Sequence, residues 1–287
     1  MISITHIINP FNAPKESDLR TSQPITFESM KVARNEAIKK VDINLCTTQY
    51  QEDSKLIPNY FTKLSNLKQS VLDHSNFEKE LKLPLIKDII LKAYHETTSD
   101  YIIYTNVDIG LQKNFYLKVD EYIRNGFQSI IINRKRIPGH YKTIEKLDEI
   151  YKEKGKKHPG FDCFVFHRNL VPQFCFNNIC IGVPFIGITF AQNLFALDRK
   201  CLLIENEKLT FHIGMEIFAK RAPTAYFRYN QKEFWKSMKE LSPKLNIDQL
   251  PYSNFVLPIK LFLWGLHPSI PIRLVFQLLL KKYKNKI

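Results

Sequence analysis

Apolar and polar positions along this chain fall into short runs whose period changes from two to nearly four and back. Ile2–Ile8 is a β-branched run that predicts a first strand, closed by Asn9-Pro10-Phe11. The polar stretch up to Gln23-Pro24 reads as a loop. The spacing of Phe27, Met30, Ala33 and Ala37 then predicts a helix, with Thr26 or Ser22 as its cap. Val41–Thr47 predicts a second strand. Over residues 84–95 the positions Leu85, Ile86, Ile89, Ile90 and Ala93 share one helical face, with Pro84 in the first turn. That helix leads into an aromatic, β-branched strand over 101–104, a helix over 115–126 and a strand over 127–133. Later strands are predicted over 161–166, 201–204 and 209–213, the last two as terminal strands. Strands and helices alternating at these lengths predict an α/β fold with a mostly parallel central sheet and helices on both faces.

The strand over 101–104 runs into a polar knot, Thr105-Asn106-Val107-Asp108-Ile109-Gly110. In extended geometry Asn106 and Asp108 face one side at the strand's carboxyl end, where open α/β sheets take their ligands. A carboxylate there suits a divalent cation that is also held by substrate phosphates. The same residues suit a strand-ending turn in which Asn and Asp bond their own backbone, and both readings stand. Asp162 lies between a His-Pro-Gly turn and an apolar run, near a strand end where partial desolvation raises a carboxyl pKa. It reads as a general base or as a turn-bonding carboxylate. Asn133-Arg134-Lys135-Arg136 concentrates cationic donors that suit phosphate, or forms a solvated basic loop. His212, on an apolar strand, is a ligand or a core histidine.

Composition narrows the classes. A chain of 287 residues, 44% of them hydrophobic and only 9 of them Gly, can bury a large core. Its 5 Cys contain no Cys-x-x-Cys pair, which argues against zinc or a disulfide framework and for a reducing compartment. The amino terminus has no basic leader or cleavage site, and no apolar run reaches spanning length. Phosphate loops of the Gly-x-x-x-x-Gly-Lys-Ser/Thr and Gly-x-Gly-x-x-Gly types are missing, and so is a Gly-x-Ser-x-Gly elbow. The net charge of +14 demands an anionic partner. Without an RNA-recognition signature, nucleic acid is not the expected one. No acid follows Asp248, and residues 271–287 combine an apolar helical stretch with Lys281, Lys282, Lys284 and Lys286. Such a helix lies at an anionic membrane interface or docks on the core with a solvated lysine end.

The succession of helix 84–95, strand and Asn106-Val107-Asp108 resembles the GT-A glycosyltransferases, where a helix under the nucleoside pocket precedes a strand ending in Asp-x-Asp. Asn106 replaces the first Asp. The segments 158–166 and Thr210-Phe211-His212-Ile213-Gly214 resemble that family's acceptor-side turn and late His, so the resemblance spans about residues 1–215. It implies a Rossmann-type nucleotide-sugar-binding and catalytic domain over 1–230, followed by a helical basic extension over 231–287. It further implies that Asp108 and His212 hold a divalent cation, Mn²⁺ or Mg²⁺, on the diphosphate of a nucleotide-sugar donor. Asn9, Lys87, Asn106, Arg134 and Arg136 would contact the donor, and Asp162 would act as base on a glycan or lipid-linked acceptor. Polysaccharide biosynthesis in the cytoplasm, with peripheral contact at the inner face of the membrane, is the expected setting. The single carboxylate of the motif keeps a second expectation alive, a non-catalytic basic binding protein on a degenerate domain of this type.

Overall fold

The chain's first strand, β1 (Ile2–Ile8), sits inside the central sheet of the computed structural model, which describes residues 1–158, 160–214, 223–241 and 243–244. After it come α1 (Leu19–Ala37), β2 (Val41–Thr47), β3 (Thr62–Lys63), α2 (Ile86–Glu96), β4 (Tyr101–Thr105) and β5 (Gly110–Leu111). The chain continues with α3 (Phe115–Arg124), β6 (Ser129–Ile132), β7 (Lys135–Ile137), α4 (Leu147–Lys152), β8 (Lys156–Lys157) and β9 (Cys163–His167). It closes with α5 (Ile186–Leu197), β10 (Leu202–Ile204), β11 (Thr210–Ile213) and α6 (Thr224–Leu241).

Among the described residues the central sheet has the order β10-β6-β9-β4-β1-β2-β3. It is parallel except at β9, which runs antiparallel to both β4 and β6. Alternation along the strands sorts the core. Ile4, Ile8, Tyr101 and Ile103 pack with α1 and α3, while Ile7, Ile102 and Tyr104 face α2 and α5. Each large aliphatic side chain buried in this way contributes about 1.5–3 kcal/mol. Among the buried polar groups is a histidine. His6 is 0% exposed, its Nδ1 lying 2.8 Å from the Tyr116 hydroxyl and its Nε2 2.9 Å from Thr105 Oγ1.

Two expectations need correction. The stretch read as a loop up to Pro24 is helical from Leu19, so Ser22 and Thr26 lie inside α1 and cap nothing. The cause is tertiary: Gln23 brackets the Phe11 backbone, accepting from its N–H and donating to its carbonyl, which buries a polar turn of helix. In addition, β11 lies outside the central sheet. It belongs to a small second sheet of order β5-β11-β7-β8.

The expected basic tail helix, 271–287, lies outside the described residues. Among those that are described, no helix is long and apolar enough to cross a membrane.

Candidate functional site

Strand direction builds the site. β4 and β6 deliver their carboxyl ends to one edge of the sheet, and the antiparallel β9 delivers its amino end to the same edge. Thr105 pairs with Cys163, and Ile132 with Cys163 from the other side. The next residues outward are therefore Asn106, Asp162 and Asn133, side by side. Arg134 follows, and its Nη1 donates to Asp162 Oδ1 at 2.5 Å, with both side chains nearly buried. His158 Nε2 lies 4.0 Å from the other Asp162 oxygen.

The second sheet brings the remaining group. After Asp108 the chain enters β5, which pairs antiparallel with β11, Gly110 opposite Phe211. A Cβ on Gly110 would stand 2.2 Å from the Phe211 ring, so only glycine lets that ring lie across β5. With β11 seated there, His212 Nε2 lies 3.1 Å from Asp108 Oδ2. Similarly, a Cβ on Gly187 would meet the Phe161 carbonyl at 2.3 Å, so glycine allows the start of α5 to close on the backbone leading into Asp162.

The charges of these groups are interdependent. Burial pushes the Asp108 carboxyl up, but the hydrogen bond and charge of His212, with Arg134, outweigh it and hold it at about 2. Burial raises Asp162 above the usual carboxylate value. Arg134 opposes that rise and the negative charge of Asp108 reinforces it. Buried polar atoms of the site without a hydrogen-bond partner include Asn133 Oδ1, Arg134 Nε, Asp162 Oδ2 and His212 Nδ1. Buried polar groups are ordinarily paired, by protein, water or ligand, so these atoms have hydrogen-bonding capacity to spare.

The other sequence candidates separate. Asn106 belongs to the site, its Oδ1 accepting from the Tyr104 hydroxyl at 2.9 Å. Arg136 is beside His212 in the β7–β11 register, and its guanidinium donates to the Lys157 carbonyl. Asn9 is 5% exposed, with its Nδ2 committed to the Thr48 carbonyl at 2.7 Å. Lys87 reaches Asn178 Oδ1 at 3.3 Å, on a segment that Glu233 of α6 holds through the Asn178 N–H. Close to Asn9 a pocket of about 400 Å³ opens, lined by Phe11, Arg20, Gln23, Phe27, Tyr60 and Ile144 among others. The sequence assigned no role to Tyr104 or His158: Tyr104 is indistinguishable from any aromatic strand residue, and His158 entered only as part of the turn before Asp162.

No family model matches the chain, and no curated protein matches it. Solved structures do. The fold is similar to residues 1–349 of TarS from S. aureus in complex with UDP-GlcNAc, with a TM-score of 0.50 at 8% identity. That match covers 93% of this chain and 71% of the other. Against the longer TarS structure the chain spans 43% of the length, with a TM-score of 0.47. Glucosyl-3-phosphoglycerate synthase from Mycobacterium tuberculosis, in complex with Mn²⁺, UDP and phosphoglyceric acid, matches at a TM-score of 0.44 and 11% identity. It covers 84% of this chain and 78% of that one. The chain has the GT-A fold.

A divalent cation is the group this fold implies. Among the described residues no three His, Cys, Asp or Glu side chains gather to hold one. Asp108 and His212 supply two donors, and Asp162 lies within electrostatic reach of both. This set fits a hard cation that takes its remaining oxygens from phosphate and water, and not one caged by protein alone.

Proposed function

We propose that this chain is a glycosyltransferase that moves a sugar from a nucleotide-diphosphate sugar to a glycan or lipid-linked acceptor. The convergence of Asp108, His212, Arg134 and Asp162 at the carboxyl edge of a GT-A sheet carries the reading. Transfer breaks the bond between the anomeric carbon and the diphosphate oxygen, forms one to the acceptor oxygen, and requires the acceptor proton to leave. Asp108 and His212 would hold Mn²⁺ or Mg²⁺, which when bound neutralises charge on the leaving diphosphate. Asp162 would take the acceptor proton on Oδ2, which accepts no hydrogen bond, while Arg134 keeps the carboxylate oriented through the other oxygen.

Phe11 and its neighbours offer a ring-sized pocket at the end of β1 for the nucleoside. Asn9 would support that loop through Thr48, and Arg136 would add positive charge beside His212. Lys87 and α2 would back the same edge. An anionic membrane surface would be met by the basic residues after Asp248.

Thermal stabilisation by a panel of UDP, GDP, CDP and ADP, with and without Mn²⁺, tests the reading first. Selective stabilisation followed by release of that nucleotide from its sugar conjugate supports it. No stabilisation by any of them overturns it. Selective binding without turnover or transfer would favour the non-catalytic alternative, which the shortage of protein metal donors keeps in view.

A further inference from the structure

We infer that Asn106 converts the first position of the motif into a neutral hydrogen-bond donor for the donor diphosphate, so that nucleotide binding survives removal of divalent cations. This rests on the nucleotide-sugar reading above and specifies how its site is wired.

The orientation of the Asn106 amide is set by a tyrosine buried in an aromatic stack. Tyr104 is 1% exposed and stacks on Phe190 at 5.7 Å and 9°, and Phe190 stacks on Phe164 at 4.3 Å and 9°. A buried phenol needs an acceptor, and the Tyr104 hydroxyl finds it in Asn106 Oδ1. The amide oxygen is thereby committed. Its nitrogen, with two N–H donors, has no partner among the described residues and belongs to a half-buried residue at the sheet edge. Phosphate oxygens accept and do not donate, so the N–H donors presented there match a diphosphate.

Charge leads to the same assignment. Asp108 already has His212 as its partner, and Asp162 has Arg134. Each carboxylate of the site thus already has a side-chain partner on one oxygen. An Asp at position 106 would still accept from Tyr104, but it would add a third negative charge beside the other two. Neighbouring carboxylates tolerate one another only with a proton or a cation between them. The neutral amide removes that demand.

The test uses the full-length protein and the nucleoside diphosphate that stabilises it most with Mn²⁺, titrated again in EDTA. The wild type should bind in EDTA within about tenfold of its affinity with Mn²⁺. Asn106→Asp should lose at least about tenfold in EDTA and recover with Mn²⁺, because it exchanges a donor for an acceptor. Asn106→Ala should weaken binding under both conditions. Tyr104→Phe, which frees the amide, should weaken binding in EDTA while its unliganded melting temperature reports any loss of folding.

If wild-type binding disappears in EDTA, or if Asn106→Asp and Asn106→Ala bind as the wild type does in EDTA, the inference is wrong while the glycosyltransferase reading stands. If the wild type binds no nucleotide under either condition, both are wrong.

Discussion

Asp162 is buried, yet Arg134 gives it a cation on one oxygen and the other accepts no hydrogen bond. A base needs that combination, an ionised carboxylate with a lone pair still free. Asp108 differs, since His212 occupies one of its oxygens and holds its pKa at about 2. The two acids should therefore respond differently to the same substitution. Asp108→Asn should abolish most transfer together with Mn²⁺-enhanced nucleotide binding. Asp162→Asn should lower turnover by about 10²–10⁴-fold while nucleotide affinity stays near wild type. Steady-state kinetics and nucleotide titration on each variant check the split, and equal activity of either variant and the parent refutes that residue's role. His6 supplies a prediction independent of function. Burial lowers its pKa to about 3 from the ordinary 6.5, so the unfolded chain binds a proton across that interval and the folded one does not. Stability is then fully present above about pH 6.5 and falls with acid, by about 1.4 kcal/mol per pH unit from this one group, down to about pH 3. Urea unfolding at several pH values should show that slope, and His6→Gln should flatten it.

Elements were legible in the sequence where a strand of the central sheet is long enough to carry a β-branched run. β1 and β2 begin and end where their β-branched runs do, and β4 differs from its run by one residue. The small sheet was not legible. β5, β7 and β8 are two or three residues long, too short to show a period, and their pairing joins segments far apart in the chain. The reversed direction of β9 was equally hidden, because an apolar run reads the same both ways. Yet β9 and β11 do most to assemble the site. Asp108 and His212 were linked through the family resemblance, and periodicity alone offered no reason to join them.

Gly110 is the residue on which that junction depends. Gly110→Ala would place a methyl group inside the Phe211 ring's space, and overpacking of this kind typically costs about 1–3 kcal/mol. The melting temperature should fall, and Mn²⁺-enhanced nucleotide binding should fall with it as β11 shifts His212 from Asp108. Adding Phe211→Val clears the space and should restore part of both. Unchanged Mn²⁺ enhancement in Gly110→Ala would mean that β11 does not need this contact.

Over the whole molecule the charge of +14 is unevenly spread, since every acid lies at or before Asp248. The described fold is fastened before that point. The Tyr226 hydroxyl donates to the Lys79 carbonyl and accepts from the Leu81 N–H, both at 2.7 Å, with Phe77 stacked on its ring at 3.9 Å. Asn230, 0% exposed, donates to the Cys180 and Pro184 carbonyls and accepts from the Cys180 N–H. Through these bonds α6 clamps two loops onto the domain. We expect the acid-free segment from Gln249 to serve a surface, because its lysines at 281, 282, 284 and 286 suit an anionic bilayer at about 1 kcal/mol each. Leu274, Val275, Phe276, Leu278 and Leu279 would add apolar burial in the same interface. A protein truncated at Ser269 should keep its melting temperature and nucleotide binding. It should fail to sediment with vesicles containing phosphatidylserine, to which the full chain binds in a manner that weakens as salt is raised. Equal sedimentation of the two would assign the tail to the fold and leave the excess charge to the donor and acceptor alone.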